Sequence, residues 1–187
     1  MAEPTAARPL WSFGLTISAL IIILDQLSKY WVLDILKLRD RPLGHIELSN
    51  VFDLTFVWNT GVSFGLFSAD NLLGRLFLSA FALLVMVVMV VWLWRVERRL
   101  MAISLGLIIG GAAGNLIDRL RFGKVVDFLD FSDIHFIWVF NVADTAITIG
   151  VLLMLADAFW VDQSTKRCMM PLAGGGCAGK TCTIQEI

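Results

Sequence analysis

Polar positions interrupt this chain so rarely that four stretches read as continuous apolar runs: Leu10 to Leu33, Leu73 to Trp94, Leu100 to Leu120 and Phe136 to Trp160. About 20 mostly apolar residues in a helix cover the ~30 Å hydrocarbon core of a bilayer, so each run is long enough to span a membrane. Between the first two runs the pattern changes. "HIELSNVFDLTFVWNTGVSFGLF", His45 to Phe67, alternates apolar with polar residues and is rich in β-branched and aromatic side chains on either side of "NTG". That period predicts a β-hairpin with its turn at Asn59 to Gly61, with Phe52, Leu54 and Phe56 on one face and Asp53 and Thr55 on the other. Gly61 supplies the turn with a backbone free to adopt positive φ. The expected fold is an all-α membrane protein of four transmembrane helices, with a small extracytoplasmic β-element over about 45–67 lying between helices one and two.

Composition agrees with the pattern. Of 187 residues 58% are hydrophobic and 17% charged, more apolar surface than a soluble domain of this length could bury. The first run is too long for a signal peptide and no small-residue cleavage site follows it, so it is read as a retained helix. The net charge of -1, without a basic stripe, gives no reason to expect a nucleic-acid partner. Cys168, Cys177 and Cys182 lie together near the end in a spacing that fits no common zinc pattern, so neither a metal nor another cofactor is expected. The segment 163–187, rich in glycine at its centre, reads as a disordered cytoplasmic tail.

Orientation comes from the short loops. "RVERR", Arg95 to Arg99, joins the second and third runs with three arginines in five residues, which the positive-inside rule assigns to the cytoplasm, along with both termini. Polar residues inside the spans then converge at one depth. Asp25 and Lys29 fall in the outer half of span one, Asn115, Asp118 and Arg119 at the outer end of span three, and Asn141 and Asp144 near the outer start of span four; Asp127 lies in the connection between spans three and four.

An ionisable group within a span costs about 2.5 to 3.5 kcal/mol on insertion scales, so each must be paired, hydrated or used. Asp25 and Lys29 are spaced i, i+4 for an intrahelical pair. Arg119 stands beside Asp118 and is the expected neutralising partner, while Gly110, Gly111 and Gly114 form a small-residue strip suited to close helix packing. Asp144 has no basic residue at i±3 or i±4. If the loop carrying Asp127 folds back over the head of span four, two carboxylates meet with Asn115 and Asn141 as hydrogen-bonding neighbours. Such a pair shares a proton, and that is the electronic arrangement of an aspartic peptidase: one ionised carboxylate activates water while its protonated partner polarises a carbonyl. Two other classes compete. A proton-coupled transporter would string polar groups through the full membrane thickness, and a tetraspan scaffold would use the aspartates structurally and the hairpin for a partner.

At these residues the sequence resembles the bacterial lipoprotein signal peptidases, also called signal peptidase II. "DQLSK", "VWNTGVSFGLF", "GAAGNLIDR", "VVDF" and "FNVADTAIT" follow one another in that family's order and spacing. The resemblance implies an intramembrane aspartic peptidase that removes signal peptides from diacylglyceryl-modified prolipoproteins just before the lipidated cysteine. It further implies catalytic Asp127 and Asp144, supported by Asp25, Lys29, Asn59, Gly61, Asn115, Asp118, Arg119, Asn141 and Ala143. A monomer in the bacterial inner membrane is expected, surrounded by lipid, with its site on the periplasmic side.

Overall fold

The computed structural model describes residues 10–61, 72–134 and 136–169. Four long apolar helices account for most of it: α1 (Trp11–Tyr30), α2 (Leu72–Leu93), α3 (Arg99–Phe122) and α4 (Val142–Met169), each with a stretch apolar enough to cross a membrane. A single π-helical turn, Trp31–Ile35, carries α1 beyond Tyr30. α3 is the hub and packs against each of the other three. Its glycine strip makes that possible: a methyl group on Gly110 would stand 2.8 Å from the Ser18 carbonyl oxygen in α1, and one on Gly111 2.4 Å from that of Ala143 in α4. α2 meets the bundle most closely at Leu93, which a methyl group on Gly14 of α1 would approach to 2.6 Å. Leu93, near its end, is buried with Val96, Ala102, Leu105 and Ile109, whereas Leu73, Leu76, Phe77 and Phe81 face outward, as a lipid-facing helix requires.

The β-element is larger than the sequence pattern predicts. Four antiparallel strands, β1 (His45–Glu47), β2 (Asp53–Asn59), β3 (Val125–Phe131) and β4 (Phe136–Phe140), form one sheet in the order β1-β2-β3-β4. A hairpin joins β1 to β2 through a turn at Leu48–Phe52, with His45 opposite Thr55 and Glu47 opposite Asp53. Three local bonds hold this turn. The Ser49 hydroxyl oxygen accepts the backbone N–H groups of Val51 and Phe52, and the Asp53 carboxylate accepts that of Leu48 at 2.9 Å, so side chains satisfy the turn without glycine. The second half of the expected hairpin, 62–67, lies outside the described residues. The expected facing holds: Leu54 is buried with Val126 and Phe128 against Val32 and Leu38, fixing the sheet to the chain just beyond α1, and Phe52 and Phe56 pack on the same cluster.

β3 and β4 replace what reads in sequence as a short loop and the start of span four. α4 begins at Val142, because the preceding residues pair with β3, with Leu129 opposite Phe140. At its other end α4 continues to Met169, into the segment expected to be a tail. Further along α4, Asp157 is buried and ion-paired with Arg98 of the α2–α3 loop.

Candidate active site

The site is built where the C-terminal ends of α1 and α3 and the start of α4 meet the two central strands of the sheet, β2 and β3. α3 stops at Gly123, which adopts the left-handed conformation (φ 76°) and donates its N–H to the Arg119 carbonyl at 3.0 Å. The chain turns directly into β3, so Asp127 stands only a few residues beyond the helix. The Val126 N–H donates to the Asp118 carboxylate at 3.1 Å, clamping the strand to α3, and Asp127 itself is 1% exposed.

α4 starts with a reciprocal cap. Asn141 Oδ1 accepts the backbone N–H of Asp144 at 2.9 Å, and Asp144 Oδ2 accepts that of Asn141 at 3.4 Å. This is a capping box, N-x-x-D, in which the carboxylate also sits at the positive end of the helix dipole. A carboxylate in the first turn of a membrane helix is therefore in a favourable position before any chemistry is considered. The remaining Asp144 oxygen accepts Asn115 Nδ2 at 2.8 Å.

Asn141 joins the two acids. Its Nδ2 donates to Asp127 Oδ1 at 2.6 Å and approaches Asn115 Oδ1 at 3.1 Å and the Val126 carbonyl at 3.2 Å, all at full burial. The other Asp127 oxygen accepts Asn59 Nδ2 at 2.8 Å from the neighbouring strand. Asn59 is oriented in turn by the N–H of Gly61, which donates to its Oδ1 at 2.8 Å, and Gly61 reaches that position at φ 103°. The glycine thus serves an amide that holds a carboxylate. Burial, reinforced by the nearby charge of Asp144, pushes the Asp127 pKa up to about 7, against the hydrogen bonds from Asn59 and Asn141, which favour the ionised form.

A second network lies behind the pair. Lys29 Nζ bonds Asp25 Oδ2 at 2.9 Å and Asp118 Oδ2 at 2.8 Å, with all three groups buried. Arg119 is therefore not the ion partner of Asp118. Adjacent helical positions do not share a face: Asp118 turns to α1, whereas the strongest charge acting on Arg119 is Asp144. Gln26, which the sequence reading passed over, donates from one amide nitrogen to both Asp25 and Asp118 at 3.1 Å. Its signal was available in "DQLSK", since i+1 from an intramembrane carboxylate is an unusual place for a second polar side chain. The free oxygen of Asp25 accepts the Ala143 backbone N–H at 3.0 Å, tying α1 to the start of α4. Ala143 is fully buried and contributes that backbone donor. Gly114 makes room for the carboxylate, because a methyl group there would stand 2.5 Å from Asp25 Oδ2.

Every residue expected at the site is thus brought into one connected cluster on one side of the bundle. Among the described residues, no group of three His, Cys, Asp or Glu side chains is arranged to hold a metal ion. Four membrane helices with two neighbouring carboxylates held by shared amides define a multi-pass membrane protein with the elements of an acid–base hydrolase. The family model described as signal peptidase (SPase) II matches residues 17–160, and the chain belongs to that family. It is 45% identical over 149 residues to a lipoprotein signal peptidase of Caulobacter vibrioides, covering 79% of this chain and 87% of that one. To a lipoprotein signal peptidase of Rhizorhabdus wittichii it is 44% identical, covering 83% and 89%. A solved bacterial membrane enzyme, determined by the in meso method at 2.3 Å resolution, superposes with a TM-score of 0.71 at 25% identity, over 86% of this chain and 94% of that chain.

Proposed function

We propose that this aspartic peptidase removes signal peptides from prolipoproteins, cutting just before a diacylglyceryl-modified cysteine, with Asp127 and Asp144 as the catalytic pair. The observation that carries the assignment is the Asn141 side chain, whose two ends hold the Asp127 carboxylate and the Asp144 backbone in one buried site. Two carboxylates in one buried site are best served by a single proton between them. In the ionised member water finds its general base; the protonated member donates to the scissile carbonyl and takes up the charge that develops on its oxygen. Asn115, Asn59 and Asn141 orient the acids, Asp25, Lys29 and Asp118 brace the helices beneath them, and Arg119 offsets the net negative charge.

The arginines of the α2–α3 loop support an orientation in the bacterial inner membrane with the site on the periplasmic side. A substrate anchored by two acyl chains already has its cleavage point at that depth, so enzyme and scissile bond meet by lateral diffusion. The outward-facing leucines and phenylalanines of α2 offer acyl chains an apolar surface beside the site. The polar cluster stays at one end of the bundle, which favours a peptidase over a transporter. The test is a gel-shift assay with purified enzyme on a precursor with and without its diacylglyceryl group. Cleavage restricted to the lipidated form is expected; equal cleavage of both would remove the lipid from the recognition.

A further inference from the structure

Arg75, in the first turn of α2, is the sole ionisable residue from Leu72 to Leu93. A cation at a membrane boundary ordinarily extends toward the headgroups. This one turns inward. Arg75 Nε donates to the Arg119 carbonyl at 2.9 Å and Nη2 to the Leu120 carbonyl at 3.0 Å, closing the last turn of α3 with a cation at its negative end. The guanidinium also covers Gly123, where a methyl group would stand 3.0 Å from Nη1.

That turn is the joint on which both acids depend. Asn115 and Asp118 leave α3 just before it, one bonding Asp144 and the other the backbone of Val126; β3 leaves just after it and presents Asp127. The outer half of α2 is otherwise turned to the outside, so its single charge is committed to a place that touches neither carboxylate but anchors what holds them.

We propose that Arg75 is a positioning residue for peptide cleavage, holding the α3-to-β3 joint so that Asp127 and Asp144 keep their relative geometry. The inference rests on the assignment of those two acids as the catalytic pair. Arg75 has no contact with the reacting groups, so its loss acts on turnover and not on substrate capture.

The experiment compares kcat, KM and the pH profile of cleavage for wild type, Arg75→Gln, Arg75→Lys and Asp127→Asn on one lipidated precursor, with a thermal melt of each. Arg75→Gln is expected to lower kcat by about tenfold with KM within about twofold, and Arg75→Lys to restore part of it. The alkaline limb of the profile is expected to move to lower pH in Arg75→Gln, because a loosened joint admits water to Asp127. Mere loss of a positive charge would move it the other way. Unchanged kcat and pH profile, a rise confined to KM, or a limb moved upward would overturn the inference while inactive Asp127→Asn left the catalytic pair standing. Active Asp127→Asn would overturn both. Should Arg75→Gln fail to fold, Arg75→Lys decides alone: a lowered kcat with the limb moved down supports the role, and wild-type values for both overturn it.

Discussion

The carboxylate of Asp144 and the amide of Asn141 cap one another at the start of α4, and the same amide reaches across to Asp127 at 2.6 Å. One side chain therefore performs two tasks: it ends the exposed donors of a helix and fixes the spacing of two acids. Because the cap is a local structure, Asp144 is placed as soon as α4 forms. Asp127 depends on the sheet, and its position is set by β2 through Asn59 and by α3 through Val126.

The Asn59 bond stabilises ionised Asp127, so removing it should raise the pKa of that carboxyl above about 7. In Asn59→Ala the alkaline limb of kcat is expected to move to higher pH, with kcat at neutral pH lower because Asp127 is less firmly held. A pH series of single-turnover cleavage checks the sign; a limb moved down would mean that Asn59 does not act on the ionised form.

Raised in the fold above its ordinary 3.8, the Asp127 pKa also makes stability depend on pH. The folded protein binds the proton more tightly, so this contribution is complete below about 3.8 and is lost as pH rises through about 7. Asp127→Asn removes the dependence. Its melting temperature is expected to exceed that of wild type at pH 8, with the gap closing toward pH 5, as detergent-phase thermal melts would record.

Lys29 is ion-paired with two buried carboxylates at once. Lys29→Met should destabilise the protein by about 3 to 5 kcal/mol, the range for breaking a buried pair and leaving its partner uncompensated. Adding Asp118→Asn to that variant should recover part of the loss. Denaturation in mixed micelles, read against an Asp118→Asn single variant, measures the coupling.

At the opposite end of the bundle Arg98 pairs with buried Asp157, far from the polar cluster. Arg98→Ala should likewise lower thermal stability, by about 3 kcal/mol if Asp157 stays buried and ionised. Its kcat per folded molecule should match wild type. A loss of kcat without a loss of stability would mean that this distant pair communicates with the site.

Sequence made the four spans legible because hydrocarbon thickness fixes their length, and made the acids legible because charge inside a span needs a reason. It was less informative where apolar patterns run together. "FIWVF" passes without a break into "NVADTAIT", and an apolar run of that length has no period that separates a buried strand from the start of a helix. The capping box at Asn141 marks the boundary, since the helix must begin after its cap. The turn at Ser49 was hidden for a different reason: "NTG" carries the stronger hairpin signal, yet there the glycine orients the Asn59 side chain. Adjacency in sequence paired Asp118 with Arg119, whereas the 100° step between helical neighbours gave Asp118 to Lys29 of another helix.

The most direct test of the catalytic pair is the single-turnover rate of Asp127→Asn and Asp144→Asn on a diacylglyceryl-modified precursor, each shown by thermal melt to be folded. Both rates are expected to fall by more than about a hundredfold, since each acid supplies a proton transfer that the other cannot. Either variant turning over at close to the wild-type rate while folded would contradict the account, leaving that carboxylate as a structural cap or brace in the network.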